Sequence, residues 1–235
     1  DLQLQTIVQL LVQSKESTEL RAHGGDAESS SSASGAPSFP ADLDATVVAA
    51  FNDVSLSEGG GEAFSTFYAA PPGADVALWQ LENIRQFTME LSALAVTLNE
   101  HCTKETCPQM KATDEWMYLC AAHKQPQECS AVDYIIHTLD GTCSLLTSTK
   151  WFPSRSKIPE TSLKYFQSIT RRLYRILSHT FFHHRGVFEE FEREHRLCRR
   201  FVTFAKAFDL IPPKLLIIPE SGYLGTGGTS RASES

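Results

Sequence analysis

Two cysteines and a histidine cluster constrain this chain more than any other feature. Cys102-x4-Cys107 lies in one part of the sequence, and His179, His183 and His184 lie far downstream. Two thiolates with two imidazoles are a favoured tetrahedral set for zinc, and an x4 spacing falls in the range of structural sites. A fold that uses them must bring residues 102–107 back against residues 179–184. On an ideal helix His179 and His184 stand roughly 140° apart, which is wide for a shared ligand position. His179 and His183, at i and i+4, share a face. Geometry alone leaves that choice open. Four protein ligands leave no open coordination position, so the expected zinc is structural. The H-E-x-x-H pattern is absent, since Glu194-His195 has no second histidine, and catalytic zinc is disfavoured.

The setting of the thiols supports metal over disulfides. All six cysteines lie at or beyond Cys102, and seven of the eight histidines at or beyond His101. The opening stretch carries Leu2, Leu4, Ile7, Val8, Leu10, Leu11 and Val12 between glutamines, with no basic n-region and no small-residue cleavage site. It does not read as a secretory signal, and no asparagine begins a glycosylation sequon. An intracellular chain keeps its thiols reduced, so Cys/His pairs there favour metal. The remaining cysteines (Cys120, Cys129, Cys143 and Cys198) sit mostly in apolar surroundings and are expected as buried free thiols. No run of 18 apolar residues exists, so no membrane span is expected. The expected location is the cytoplasm.

Hydrophobic periodicity gives the architecture. Ile84, Phe87, Leu91, Leu94 and Leu98 step by three and four, which predicts an amphipathic helix from about Leu78. Residues 131–146 read as a second helix. A third starts near Thr161, with Leu163, Phe166, Ile169, Leu173, Ile176, Leu177 and Thr180 on one face, and Gly186 interrupts it. A fourth is predicted from Phe188 to Phe208, ended by Pro212-Pro213. Residues 115–122 fit a strand or a buried helical turn equally. The fold class is all-α, a bundle with a four-helix core. Residues 1–22 are expected to hold an N-terminal helix (2–13) docking on the core. Residues 23–75 form a Ser/Gly-rich acidic insertion, partly disordered, with a linker at 24–40 and a short helix at 44–56. The main domain is then 76–219, followed by a flexible tail over 220–235.

The net charge of −7 conceals an asymmetry: residues 1–75 carry −9, and residues 76–219 carry +3. Within the basic part, Arg171, Arg172 and Arg175 occupy one flank of the third helix, with Lys164 seven residues before Arg171. Grouped guanidiniums suit phosphate because they offer planar, bidentate donors. The small excess of positive charge and the lack of a stacking platform argue against nucleic acid. No nucleophile site emerges: there is no nucleophile elbow, no kinase loop set and no catalytic Cys/His arrangement beyond the metal candidates, so nothing predicts an enzyme.

From Trp79 to Pro219 the chain resembles the Mob family, and within it the phocein class. The resemblance is carried by RQFTMELSALAV (85–96), LCAAHKQPQEC (119–129), DYIIHTLDG (133–141), FPSR (152–155), RRLYRILSHTFFHHR (171–185) and LLIIP (215–219). It implies a Mob-type helical bundle stapled by one structural zinc on Cys102, Cys107, His179 and His184, with His183 a neighbour. It implies a non-catalytic adaptor whose Arg171, Arg172 and Arg175 bind phosphothreonine peptides. The partners implied for the phocein class are a striatin-type scaffold, Ste20-type kinases, and a type 2A protein phosphatase through the scaffold. The location implied is the cytoplasm, peripheral on endomembranes through those partners. The alternative within the family is direct co-activation of nuclear Dbf2-related kinases. The insertion at 23–75 departs from the family pattern and inherits no function from it.

Overall fold

The computed structural model of the chain describes residues 68–70, 73–154 and 157–224. The helices expected at 2–13 and 44–56, the linker at 24–40 and most of the C-terminal tail lie outside the described residues. Five α-helices follow one another: α1 (Val76–Leu98), α2 (Ala131–Leu146), α3 (Glu160–His183), α4 (Arg185–His195) and α5 (Leu197–Ala207). Two 3-10 turns, Pro213–Leu215 and Glu220–Gly222, come after them. The described part is all-helical, and its only β-pairing is two isolated bridges, Lys111↔Met117 and Cys120↔Gln127. Residues 115–122 are thus neither strand nor helical turn.

Local chemistry sets the helix starts. Asp75 caps α1, its Oδ1 accepting from the backbone N–H of Ala77 (2.8 Å) and Leu78 (3.0 Å). Ser130 caps α2 by accepting from Asp133 N–H at 3.2 Å. No side chain caps α3; Pro159 precedes its first residue, and Ser162 Oγ donates to the Trp151 carbonyl. α3 is the central element, packed against α1, α2, α4 and α5. Its buried face contains Phe166, Ile169, Leu173, Ile176, Leu177 and Thr180, while Leu163 stays 37% exposed. Leu91 of α1 and Leu173 of α3 are fully buried. Each such side chain contributes about 1.5–3 kcal/mol by leaving water. Hydroxyls inside this core are satisfied within their own helices. Thr88 donates to Ile84 O, Ser92 to Thr88 O, Thr170 to Phe166 O and Thr180 to Ile176 O.

The helix predicted over 188–208 is two helices. Arg196 adopts a left-handed conformation (φ 52°, ψ 30°) between α4 and α5. Such a conformation costs a non-glycine residue about 1–2 kcal/mol. The break is offset by Glu192, whose carboxylate accepts from the N–H groups of Cys198 (2.7 Å) and Arg199 (3.0 Å) and so caps α5 from one turn back. The preceding break also differs in place: α3 ends at His183 and turns at His184 (φ −132°, ψ 54°), and Gly186 lies inside α4.

Chain segments outside the helices close the core. Tyr68 is buried against Phe204 (5.5 Å between ring centroids) and Phe87 (6.2 Å). Past α5, the Ile218 N–H donates to the Tyr174 hydroxyl at 2.9 Å, and Tyr223 is buried. Gly222 lies so close to Phe181 that a Cβ there would come within 2.4 Å of the ring.

Candidate metal centre and arginine cleft

The turn at His184 decides what the histidines can reach. Cys102 and Cys107 lie in the loop after α1, where the Cys107 N–H donates to Thr103 O (2.9 Å). His179 Nε2 is 3.5 Å from Cys102 Sγ, and His184 Nε2 is 3.4 Å from Cys107 Sγ. The four ligand atoms lie within 4.8 Å of one another, and this group can hold a metal ion. Cys102, Cys107 and His179 are buried and His184 is half-buried. His183 is exposed and stacks on the His179 ring (centroids 4.7 Å apart, planes 25° apart). Because the helix stops at His183, His184 swings out of the helical phase that would carry it away from the thiols.

The electrostatics of this cluster suit a cation. His179 Nδ1 lies 2.7 Å from the Lys111 carbonyl, to which it donates, so that Nε2 turns its lone pair toward the sulfurs. Burial lowers His179 to about 4 and also lowers His184, so both rings are neutral near pH 7. Burial, and then the adjacent Cys107, push the Cys102 thiol up to about 12. Two thiolates cannot coexist there without a compensating charge, and a divalent ion reverses the balance.

The three arginines meet one turn away on α3. A cleft of ≈ 350 Å³ is lined by Arg171, Arg172 and Arg175, by Trp116, Tyr118 and Tyr174, and by Ser168, Ile211 and Leu215. Arg175 is the most constrained: its Nη1 donates to the Tyr134 hydroxyl (2.7 Å), and its guanidinium stands 4.8 Å from the Tyr118 ring centroid. Arg171 Nε donates to Gln167 O at 3.1 Å, and Arg172 is exposed. Among the described residues none of the three is paired with a carboxylate. Lys164 does not join them; its ammonium lies over the rings of Tyr165 (5.3 Å) and Trp151 (5.9 Å). The aromatic walls from 116–118 and the apolar wall from 211–215 carry no sequence pattern that would have linked them to the arginines.

A second group escaped the sequence reading. Cys120, His123, Cys129 and His137 also converge, with all ligand atoms within 4.8 Å of one another. Cys120 is buried, but Cys129 is half-buried and faces imidazoles, unlike a free core thiol. The available signal was Cys120-x2-His123 followed by Cys129-x7-His137.

A helical bundle that closes a thiol–imidazole centre against the end of its central helix, beside an arginine cleft, defines an α-helical class of metal-capable proteins. The Mob1/phocein family profile matches residues 57–219, and the chain belongs to that family. It is 50% identical over 155 residues to the "MOB-like protein phocein" of Caenorhabditis elegans, covering 66% of this chain and 70% of that protein. It is 52% identical over 149 residues to the "MOB kinase activator-like 4" of Drosophila melanogaster (63% and 67% covered). The "Maintenance of ploidy protein mob1" of Schizosaccharomyces pombe is 34% identical over 152 residues (61% and 72% covered). No helix among the described residues is long and apolar enough to cross a membrane.

Proposed function

We propose that this chain is a non-catalytic adaptor of a striatin-interacting phosphatase and kinase assembly. In this reading one zinc ion on Cys102, Cys107, His179 and His184 is structural, and the cleft of Arg171, Arg172 and Arg175 receives phosphothreonine peptides of partner kinases. The observation that carries it is the cleft itself. Three guanidiniums without carboxylate partners among the described residues line one space with Trp116, Tyr118 and Tyr174. Such a site offers bidentate donors to a phosphate dianion and aromatic surface to the flanking residues. The partners are a striatin-type scaffold and Ste20-type kinases, with a type 2A phosphatase joined through the scaffold. The protein works in the cytoplasm, held at endomembranes by those partners. Zinc fits the donor set because two thiolates and two neutral imidazoles balance a dication and fill a tetrahedron.

The cleft is tested by binding a phosphothreonine peptide and its unphosphorylated twin to the purified chain. An Arg171→Glu, Arg172→Glu double variant is expected to lose at least about tenfold in affinity, which corresponds to roughly 1.4 kcal/mol. Its co-purification with striatin should stay unchanged. Equal affinity for both peptides sinks the phosphate reading. A second reading, direct co-activation of nuclear Dbf2-related kinases, draws on the 52% identity to the Drosophila relative named as kinase activator-like. Affinity purification from cells separates the two: striatin among the captured proteins supports the first, and a Dbf2-related kinase without striatin supports the second.

A further inference from the structure

The loop that follows the first cysteine pair is built around a second convergence of donors. The Cys120 N–H donates to Gln127 O (2.8 Å) and the Gln127 N–H to Cys120 O (3.2 Å), which closes residues 120–127 into a narrow turn. His123 sits within that turn, and Cys129 follows it. His137 comes from the second turn of α2 (Ala131–Leu146). Three contacts tie the group together. Cys120 Sγ is 3.6 Å from His137 Nδ1, Cys129 Sγ is 3.9 Å from the same nitrogen, and His123 Nε2 is 3.1 Å from Cys129 Sγ. The two imidazole rings stand edge to face at 5.0 Å and 86°, so their nitrogens point inward from different directions.

These separations fit the edges of a coordination tetrahedron. With zinc–sulfur bonds of about 2.3 Å and zinc–nitrogen bonds of about 2.0–2.1 Å, sulfur–nitrogen edges fall near about 3.5 Å. The three contacts scatter around that value, and all four ligand atoms lie within 4.8 Å of one another. Hydrogen bonding gives a poorer account of the cluster. A neutral imidazole donates one proton and a thiol is only a weak donor and acceptor, so hydrogen bonds alone would hold these four groups weakly. We propose that Cys120, His123, Cys129 and His137 form a second zinc site, separate from the centre on Cys102, Cys107, His179 and His184. Two thiolates and two neutral imidazoles balance the ion's charge, and four protein ligands leave no position for water, so the site is structural. It fastens the 119–129 loop to α2, whereas the first centre fastens the 102–107 loop to the end of α3.

Metal content of the full-length chain, purified under a phosphine reductant, tests the assignment. Wild type is expected to hold two equivalents of zinc. Cys129→Ser and His123→Ala should each hold one, and Cys102→Ser should hold the one that remains at the second site. Wild type and Cys129→Ser carrying equal zinc overturns the proposal. One equivalent that is lost in Cys129→Ser but kept in Cys102→Ser supports the second site and refutes the first, so the two readings fail separately. Should the variants not fold, alkylation of wild type followed by peptide mass mapping answers the question. Cys120 and Cys129 are expected to react only after chelation, and equal labelling with and without zinc overturns the site. A Cys120–Cys129 disulfide, seen as a mass lighter by two hydrogens, overturns it as well.

Discussion

Glu192 occupies a setting that its side chain resists and the backbone requires. It is 6% exposed, and burial pushes its carboxyl up to about 7 against the opposing pull of the Arg199 and Cys198 N–H groups. A carboxyl raised in the folded state keeps a proton that the unfolded chain releases. Its contribution is therefore present below its ordinary value of 4.5 and is lost as pH rises through about 7. Each unit of that shift corresponds to about 1.4 kcal/mol. Urea midpoints of wild type and Glu192→Gln, measured at both ends of this window, should show wild type losing stability relative to the variant as pH rises. A constant difference between the two would refute the assignment. The residue scale also marks where the sequence stops being legible. His179, Cys102 and Cys107 could be named from spacing, but His183 and His184 could not be separated. What separates them is a helix end at His183 that no glycine or proline at that position announces. Arg196 is illegible for the same reason, since its left-handed turn is held by Glu192 and not by its own side chain.

At the scale of elements, α1 and α5 are joined by a buried ion pair. The Arg200 guanidinium forms a fork with Glu90, one limb running from Nη1 to Oε1 at 3.2 Å and the other from Nη2 to Oε2. Both side chains are almost wholly buried, at 3% and 10% exposure. Arg200 Nε also donates to His195 O at 3.2 Å, which ties the pair to the end of α4. Removing one member leaves the other charged and unpaired, so Glu90→Ala is expected to cost about 3–5 kcal/mol in denaturant unfolding. Adding Arg200→Met to that variant should recover a large part of the loss. A double variant as weak as Glu90→Ala alone would show that packing, and not the stranded charge, carries the effect. The apolar periodicity revealed α1, α2 and α3, because a buried stripe must repeat every three or four residues. A pair separated by 110 residues has no such local signature. The second donor cluster shared that fate, as its four ligands follow no helical repeat.

For the whole molecule, the unusual feature is the connection from Asn99 to Ser130, between α1 and α2. Structureless connections beyond about 12–15 residues are uncommon in compact domains. This one has only two isolated bridges, yet Cys102, Cys107, Met110, Ala112 and Cys120 within it are buried. Ordering so long a segment costs about 1–2 kcal/mol per residue for the backbone alone, and its apolar burial comes at scattered points and not along a continuous face. Under the two-zinc proposal the ions supply the missing restraint, one tying this segment to α3 through His179 and His184 and one tying it to α2 through His137. The helices, in contrast, are held by their own core. Chelation under reducing conditions should therefore release this connection first. Trypsin is expected to cut the stripped chain at Lys104 and Lys124, both exposed, while the helical circular dichroism falls little. Phosphopeptide affinity should fall in parallel, because Trp116 and Tyr118 of the arginine cleft belong to the same segment. Added zinc should restore both protease resistance and binding. A metal-free chain that resists trypsin at Lys104 and Lys124 as well as the loaded one would mean that packing alone orders the connection.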